Sequence, residues 1–222
     1  MRVGIFDSGV GGLSALAYFR EMAPEADVVF FADRENAPYG TKAEGELVRL
    51  VSRDIKELTS LGCERVLMAC CTASTVHRLL PSEYRIRSIP IIAPTARSAC
   101  RISRCGGIGV LSTEATKRSG AFVREITNIR SDARVLSVSA GELVTLAEAG
   151  VCDENIGGAG ERAVKKATEP FLGTDIDTLI LGCTHFGKFK RTIEAMLGIC
   201  TVDSAKEGAI ALFEYCSGRV KI

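Results

Sequence analysis

The chain alternates short apolar runs with amphipathic stretches from one end to the other. Val3–Phe6, Val28–Phe31, Arg65–Met68 and Ile89–Ile92 read as strands. After Pro94 the alternation restarts, with strands expected at Ile108–Leu111, Val135–Val138, Thr178–Leu181 and Ile199–Val202. Helical periods lie between them. Leu13, Leu16, Ala17 and Phe19 share one side of a first helix; Leu47, Leu50, Val51, Ile55 and Leu58 line a longer one that Gly62 stops.

Short apolar strands separated by helices belong to parallel sheets covered on both faces. The expected fold is α/β: two pseudo-symmetric parallel-sheet domains with the active site in the cleft between them. Residues 1–93 plus 203–222 would form the N-terminal domain carrying Cys70, and residues 94–202 the second, carrying Cys183. The break is expected near Pro90–Pro94, and a last helix, near Lys206–Cys216, would return to the first half.

Composition narrows the function classes. The 222 residues are 46% hydrophobic and 25% charged with a net charge of +1, so neither disorder nor a nucleic-acid or anionic-membrane surface is indicated. No run approaches the roughly 18 apolar residues of a membrane span. Asp7 and a glycine-rich stretch follow the N-terminus too soon for a signal peptide, so cytoplasmic residence is the expectation. Nine cysteines, an odd number in a long chain, read as reduced thiols rather than a disulfide scaffold.

Two of those thiols stand out. Val66-Leu67-Met68-Ala69-Cys70-Cys71-Thr72 echoes Leu179-Ile180-Leu181-Gly182-Cys183-Thr184, each a strand ending in a small residue, cysteine and threonine. Ligands in open α/β sheets sit at the carboxyl ends of strands, so two such cysteines would face one another across the cleft. Racemisation needs a base on one face of the α-carbon and an acid on the other, and a cysteine pair supplies both. Helix N-termini following each cysteine are expected to lower the thiol pKa.

Asp7-Ser8-Gly9-Val10-Gly11-Gly12 reads as a strand–helix turn, with Asp7 or Ser8 as a cap or with backbone N–H groups turned to an anion. Ala37-Pro38-Tyr39-Gly40-Thr41 reads either as a turn with Thr41 capping the next helix or as a loop over the cleft, lending amides to a carboxylate. Thr72 and Thr184 are candidates to bind substrate carboxylates, and His185 directly follows the second cysteine motif. A zinc or iron–sulfur site using Cys70, Cys71 and Cys183 is a competing use of the thiols, though no C-x-x-C spacing occurs.

Taken in order, these segments resemble the glutamate racemase family, within the wider aspartate/glutamate racemases. The resemblance rests on Phe6–Ser14, Ala32-Asp33 with Pro38–Lys42, Ala69–Ser74, Gly109–Thr113 with Thr116, and Leu181–Phe186. It implies cofactor-independent interconversion of L- and D-glutamate for peptidoglycan synthesis, with Cys70 and Cys183 as the acid/base pair and no metal. It also implies that Asp7, Ser8, Tyr39, Gly40, Cys71, Thr72, Thr184 and His185 hold the amino acid, with Asp7 and His185 tuning the thiols and Glu148 as an auxiliary acid. The expected partner is a small amino acid, not nucleic acid or membrane; a homodimer is compatible with the chain. Cys71 departs from the family, which has asparagine there, and this keeps aspartate open as a substrate. A homologue that lost turnover and acts by binding is the alternative of another class. The internal echo aligns Cys71 with Cys183, whereas the family register aligns Cys70 with it.

Overall fold

The computed structural model describes residues 1–219; the last three residues of the expected return segment, 220–222, lie outside the described residues. Eight strands form two four-stranded parallel sheets. The first half comprises β1 (Arg2–Asp7), α1 (Leu13–Met22), β2 (Asp27–Ala32), α2 (Glu44–Ser60), β3 (Arg65–Met68), the single turns α3 (Cys71–Ser74) and α4 (Ser82–Arg85), and β4 (Ser88–Pro90). Helix α5 (Ile92–Ile102) leads into β5 (Gly107–Ser112), α6 (Glu114–Ser119), α7 (Ala121–Ile129), β6 (Arg134–Ser139), α8 (Gly141–Glu148), α9 (Ala159–Thr168), β7 (Thr178–Gly182), α10 (Lys190–Leu197) and β8 (Cys200–Asp203). Helix α11 (Ser204–Cys216) closes the described chain. The strand orders, β2-β1-β3-β4 and β6-β5-β7-β8, are the same arrangement twice.

Side chains alternate across each strand, and the two faces have different partners. Val3, Ile5, Leu67, Ile108, Val110 and Ile180 point into one core shared by both sheets, closed by Phe19, Phe122 and Leu212. The opposite face of the first sheet, with Phe6, Val66 and Met68, packs on Leu47, Leu50, Val51, Ile55 and Leu58 of α2. The equivalent face of the second sheet, with Leu111, Leu179 and Leu181, packs on Leu143, Val164, Phe189 and Ile193. Burial on both faces explains why these strands read as continuous apolar runs.

The strand expected over Ile89–Ile92 is shorter than its apolar run, because Ile92 already begins α5. Pro94 does not break this helix: it lies in the first turn, where its missing N–H has no intrahelical acceptor to lose. Residues 93 and 94, the expected domain boundary, therefore fall inside a helix. Helix α11 packs on α1 and α5, as anticipated for the last helix.

Candidate active site

The strand ends of both sheets open on one cavity of about 570 Å³, within the range of small-molecule sites (about 300–1,000 Å³). All the singled-out residues line it: Asp7, Ser8, Tyr39, Gly40, Cys70, Cys71, Thr72, Glu148, Cys183, Thr184 and His185. Thr113, Val144 and Thr145 line it as well and escaped the sequence reading as site residues.

Strand register shows which of Cys70 and Cys71 is the positional counterpart of Cys183. Strand β1 pairs with β2 from Arg2↔Asp27 to Asp7↔Ala32, as β5 pairs with β6 from Gly107↔Arg134 to Ser112↔Ser139, which makes Phe6 the counterpart of Leu111. Phe6 then pairs with Met68, and Leu111 with Leu181. Two residues beyond those partners stand Cys70 and Cys183, the positional counterparts. The sequence echo that aligned Cys71 with Cys183 is out by one residue. The same register equates Ser8 with Thr113, the signal that would have flagged Thr113.

Ser8 Oγ lies 3.2 Å from Cys70 Sγ, which also accepts from Ala73 N at 3.4 Å as the cap of α3. Across the cavity Cys183 Sγ lies 3.6 Å from His185 Nδ1, and His185 Nε2 lies 3.6 Å from Glu148 Oε1. That Nε2 is buried and makes no hydrogen bond among the described residues. Asp7 ties the halves together: its Oδ1 accepts from Gly9 N at 2.8 Å and its Oδ2 from Thr184 Oγ1 at 3.2 Å. Thr72, Thr113 and Thr116 form a ring of hydroxyls 2.9–3.1 Å apart, again spanning both halves.

The thiols do not follow the expectation of a lowered pKa. Burial, reinforced by the Asp7 carboxyl, pushes Cys70 up to about 11 despite the hydrogen bonds from Ser8 and Ala73. Burial likewise raises Cys183, with Cys70, Asp7 and Glu148 adding to it. Desolvation outweighs the hydrogen bonds that each thiol receives. Burial also raises the Asp7 carboxyl and lowers the His185 imidazole.

Two expected helix caps, Asp7 and Thr41, are corrected by the structure. Asp7 caps no helix; it holds Gly9, and the residue before α1 is Gly12. Thr41 is not the cap of α2, which Ala43 precedes, and its hydroxyl donates to Pro38 O. Tyr39 lines the cavity, but its hydroxyl is turned away to Asp33 and Asp54. Cys71, buried, points its Sγ to Ser204 Oγ at 3.5 Å. No three His, Cys, Asp or Glu side chains among the described residues gather as a metal-holding group.

The duplicated parallel sheet agrees with the architecture of known proteins. Residues 15–212 match the Asp/Glu/Hydantoin racemase family model. The chain belongs to that family. A glutamate racemase of Desulforudis audaxviator is 39% identical over 206 residues, covering 91% of this chain and 74% of its own. That of Aquifex aeolicus is 35% identical, covering 97% and 83%. Among solved structures, glutamate racemase isoform RacE1 from Bacillus anthracis superposes with a TM-score of 0.88 at 30% identity over 98% of this chain and 82% of its own. The glutamate racemase of Francisella tularensis, solved with D-glutamate, gives 0.89 at 26% identity over 98% and 81%. The two-sheet racemase architecture is therefore that of this chain.

Proposed function

We propose that this racemase interconverts L- and D-glutamate by a two-cysteine acid/base mechanism, supplying D-glutamate for peptidoglycan. The observation that carries this is the register equivalence of Cys70 and Cys183, two buried thiols on one cavity from opposite halves of the fold. A pseudo-twofold pair is what a planar carbanion needs, since it must be approached from either face.

In one direction the Cys70 thiolate takes the α-proton and the Cys183 thiol delivers its own to the opposite face; in the other the roles exchange. Each turnover leaves the thiol and thiolate swapped, so no net proton is consumed. Burial and nearby carboxylates hold both thiols toward the neutral form. The substrate ammonium supplies the missing positive charge, so the thiolate forms only when substrate is present. Asp7 and His185 both engage the second cysteine motif, Asp7 through the Thr184 hydroxyl and His185 beside the Cys183 thiol, and tune the site from there. The threonine ring and Ser8 offer hydroxyls to the two carboxylates and Gly40 offers backbone, while the Thr184 hydroxyl proton is held by Asp7. Cys71 is spent on Ser204 and gives the substrate a weak donor at best.

Incubation with L-glutamate and L-aspartate in heavy water tests this. Deuterium should enter the α-position of glutamate faster than that of aspartate. Separate Cys70→Ala and Cys183→Ala variants should each lose racemisation, whereas Cys71→Ala should keep it. No exchange with either amino acid sinks the proposal and favours a binding role. Cytoplasmic residence, a homodimer and the division into domains 1–93 plus 203–222 and 94–202 belong to the same proposal. In support of a non-membrane location, no helix among the described residues is long and apolar enough to cross a membrane.

A further inference from the structure

An acid sits where α2 should be apolar. Leu47, Leu50, Val51, Ile55 and Leu58 make the buried stripe of this helix, and Asp54, fully buried, occupies the same stripe. Its Oδ2 lies 2.8 Å from Tyr39 Oη, and Tyr39 Oη lies 2.6 Å from Asp33 Oδ2. Arg53 donates to Asp54 Oδ1 from Nε at 2.9 Å and from an Nη at 2.7 Å, and reaches Asp33 Oδ2 at 2.7 Å. Asn36 Nδ2 donates to Asp33 Oδ1 at 2.9 Å. Arg53, Tyr39 and Asp33 are the titratable groups that bond to Asp54 or to Tyr39 here.

The proton count does not close if both acids are ionised. A phenol has one proton, so it donates to one carboxylate and must accept from the other. Asp33 Oδ2 already receives Arg53, whereas Asp54 Oδ2 has Tyr39 as its one partner while Oδ1 takes the guanidinium. The geometry points to Asp54 as a protonated positioning residue: its O–H donates to Tyr39, Tyr39 donates to Asp33, and the relay fixes residues 37–41 at the cavity wall. Charge then balances with one Arg53 cation against one Asp33 anion. Burial, which favours the neutral acid at Asp54, acts in the same direction.

Residues 37–41 line the cavity, so the relay holds a wall that a substrate carboxylate would meet. This effect on binding rests on the glutamate reading above; the proton itself does not. Infrared spectra of protein carrying ¹³C-labelled aspartate should show a protonated carboxyl band at neutral pH that is absent from Asp54→Asn. A band lost in Asp33→Asn but kept in Asp54→Asn, or no band at all, overturns the assignment. In glutamate exchange, Asp54→Asn keeps both a donor and an acceptor and should hold KM within about threefold, while Asp54→Leu should raise it about tenfold with kcat moved less. Equal damage from both folded variants, or none from either, would overturn the positioning role. If Asp54→Leu does not fold, Tyr39→Phe takes its place with the same expected rise. Should the wild type exchange no amino acid, the glutamate reading fails while the infrared result still decides the proton.

Discussion

The site's reactivity is set residue by residue through desolvation. A thiol held up at about 11 is almost wholly protonated at neutral pH, and its thiolate grows tenfold with each pH unit until that value is reached. Iodoacetamide followed by peptide mass spectrometry should therefore label exposed Cys105 and Cys200 readily at neutral pH and Cys70 slowly. Labelling of Cys70 should accelerate as pH rises toward 11. Fast labelling of Cys70 in the empty protein at neutral pH would mean that the cavity already stabilises the thiolate. His185 offers a second check: its Nε2 lies 3.6 Å from the half-exposed Glu148 and has no hydrogen-bond partner among the described residues. Glu148→Gln should lower kcat by about tenfold while changing melting little, since the carboxylate is solvated and its pairing adds little to stability.

At the scale of elements, the glycine-rich turn after β1 packs closely against the second half. A Cβ on Gly11 would stand 2.4 Å from Thr184 Oγ1 and 2.7–2.8 Å from the His185 ring. The turn thus lies directly against the second half's cysteine motif, and only glycine permits that approach. Gly11→Ala should cost about 1–3 kcal/mol in urea unfolding and displace Thr184 from Asp7, with glutamate exchange falling in parallel. Unchanged activity and stability would show that the turn yields freely. Helix α2 gives the complementary test of the core. Leu58 is fully buried in the layer it forms with β1 and β3, so Leu58→Ala should cost about 2–5 kcal/mol by urea unfolding. Its amphipathic period was plain in the chain; the acid within its apolar stripe was equally visible and is the clue that leads to Tyr39 and Asp33.

For the molecule as a whole, one core unites both sheets. Ile5 and Leu67 from the first and Val110 and Ile180 from the second bury into the same cluster, with α11 seated against α1 and α5. Neither sheet has a private apolar layer on that side, so neither is expected to fold alone. Urea unfolding should be a single transition, with far-ultraviolet circular dichroism and the reactivity of buried Cys63, Cys70 and Cys183 changing together. Two resolved transitions would mean that the halves are separable units.

Local order in the chain was enough for the elements and the motif sequence: strands reveal themselves by contiguous apolar residues, helices by their period, and the cysteine motifs by repetition. Those signals come from neighbours in sequence, so they survive without tertiary contacts. They failed where a neighbour in space decides. Ile92 looked like strand and became helix. The internal echo set Cys71 opposite Cys183 and the family register set Cys70 there, and strand register agrees with the latter. The thiols looked poised by helix ends, and burial raised them instead. Desolvation, register and shared protons are properties of residues brought together from distant parts of the chain, and only the folded molecule assembles them.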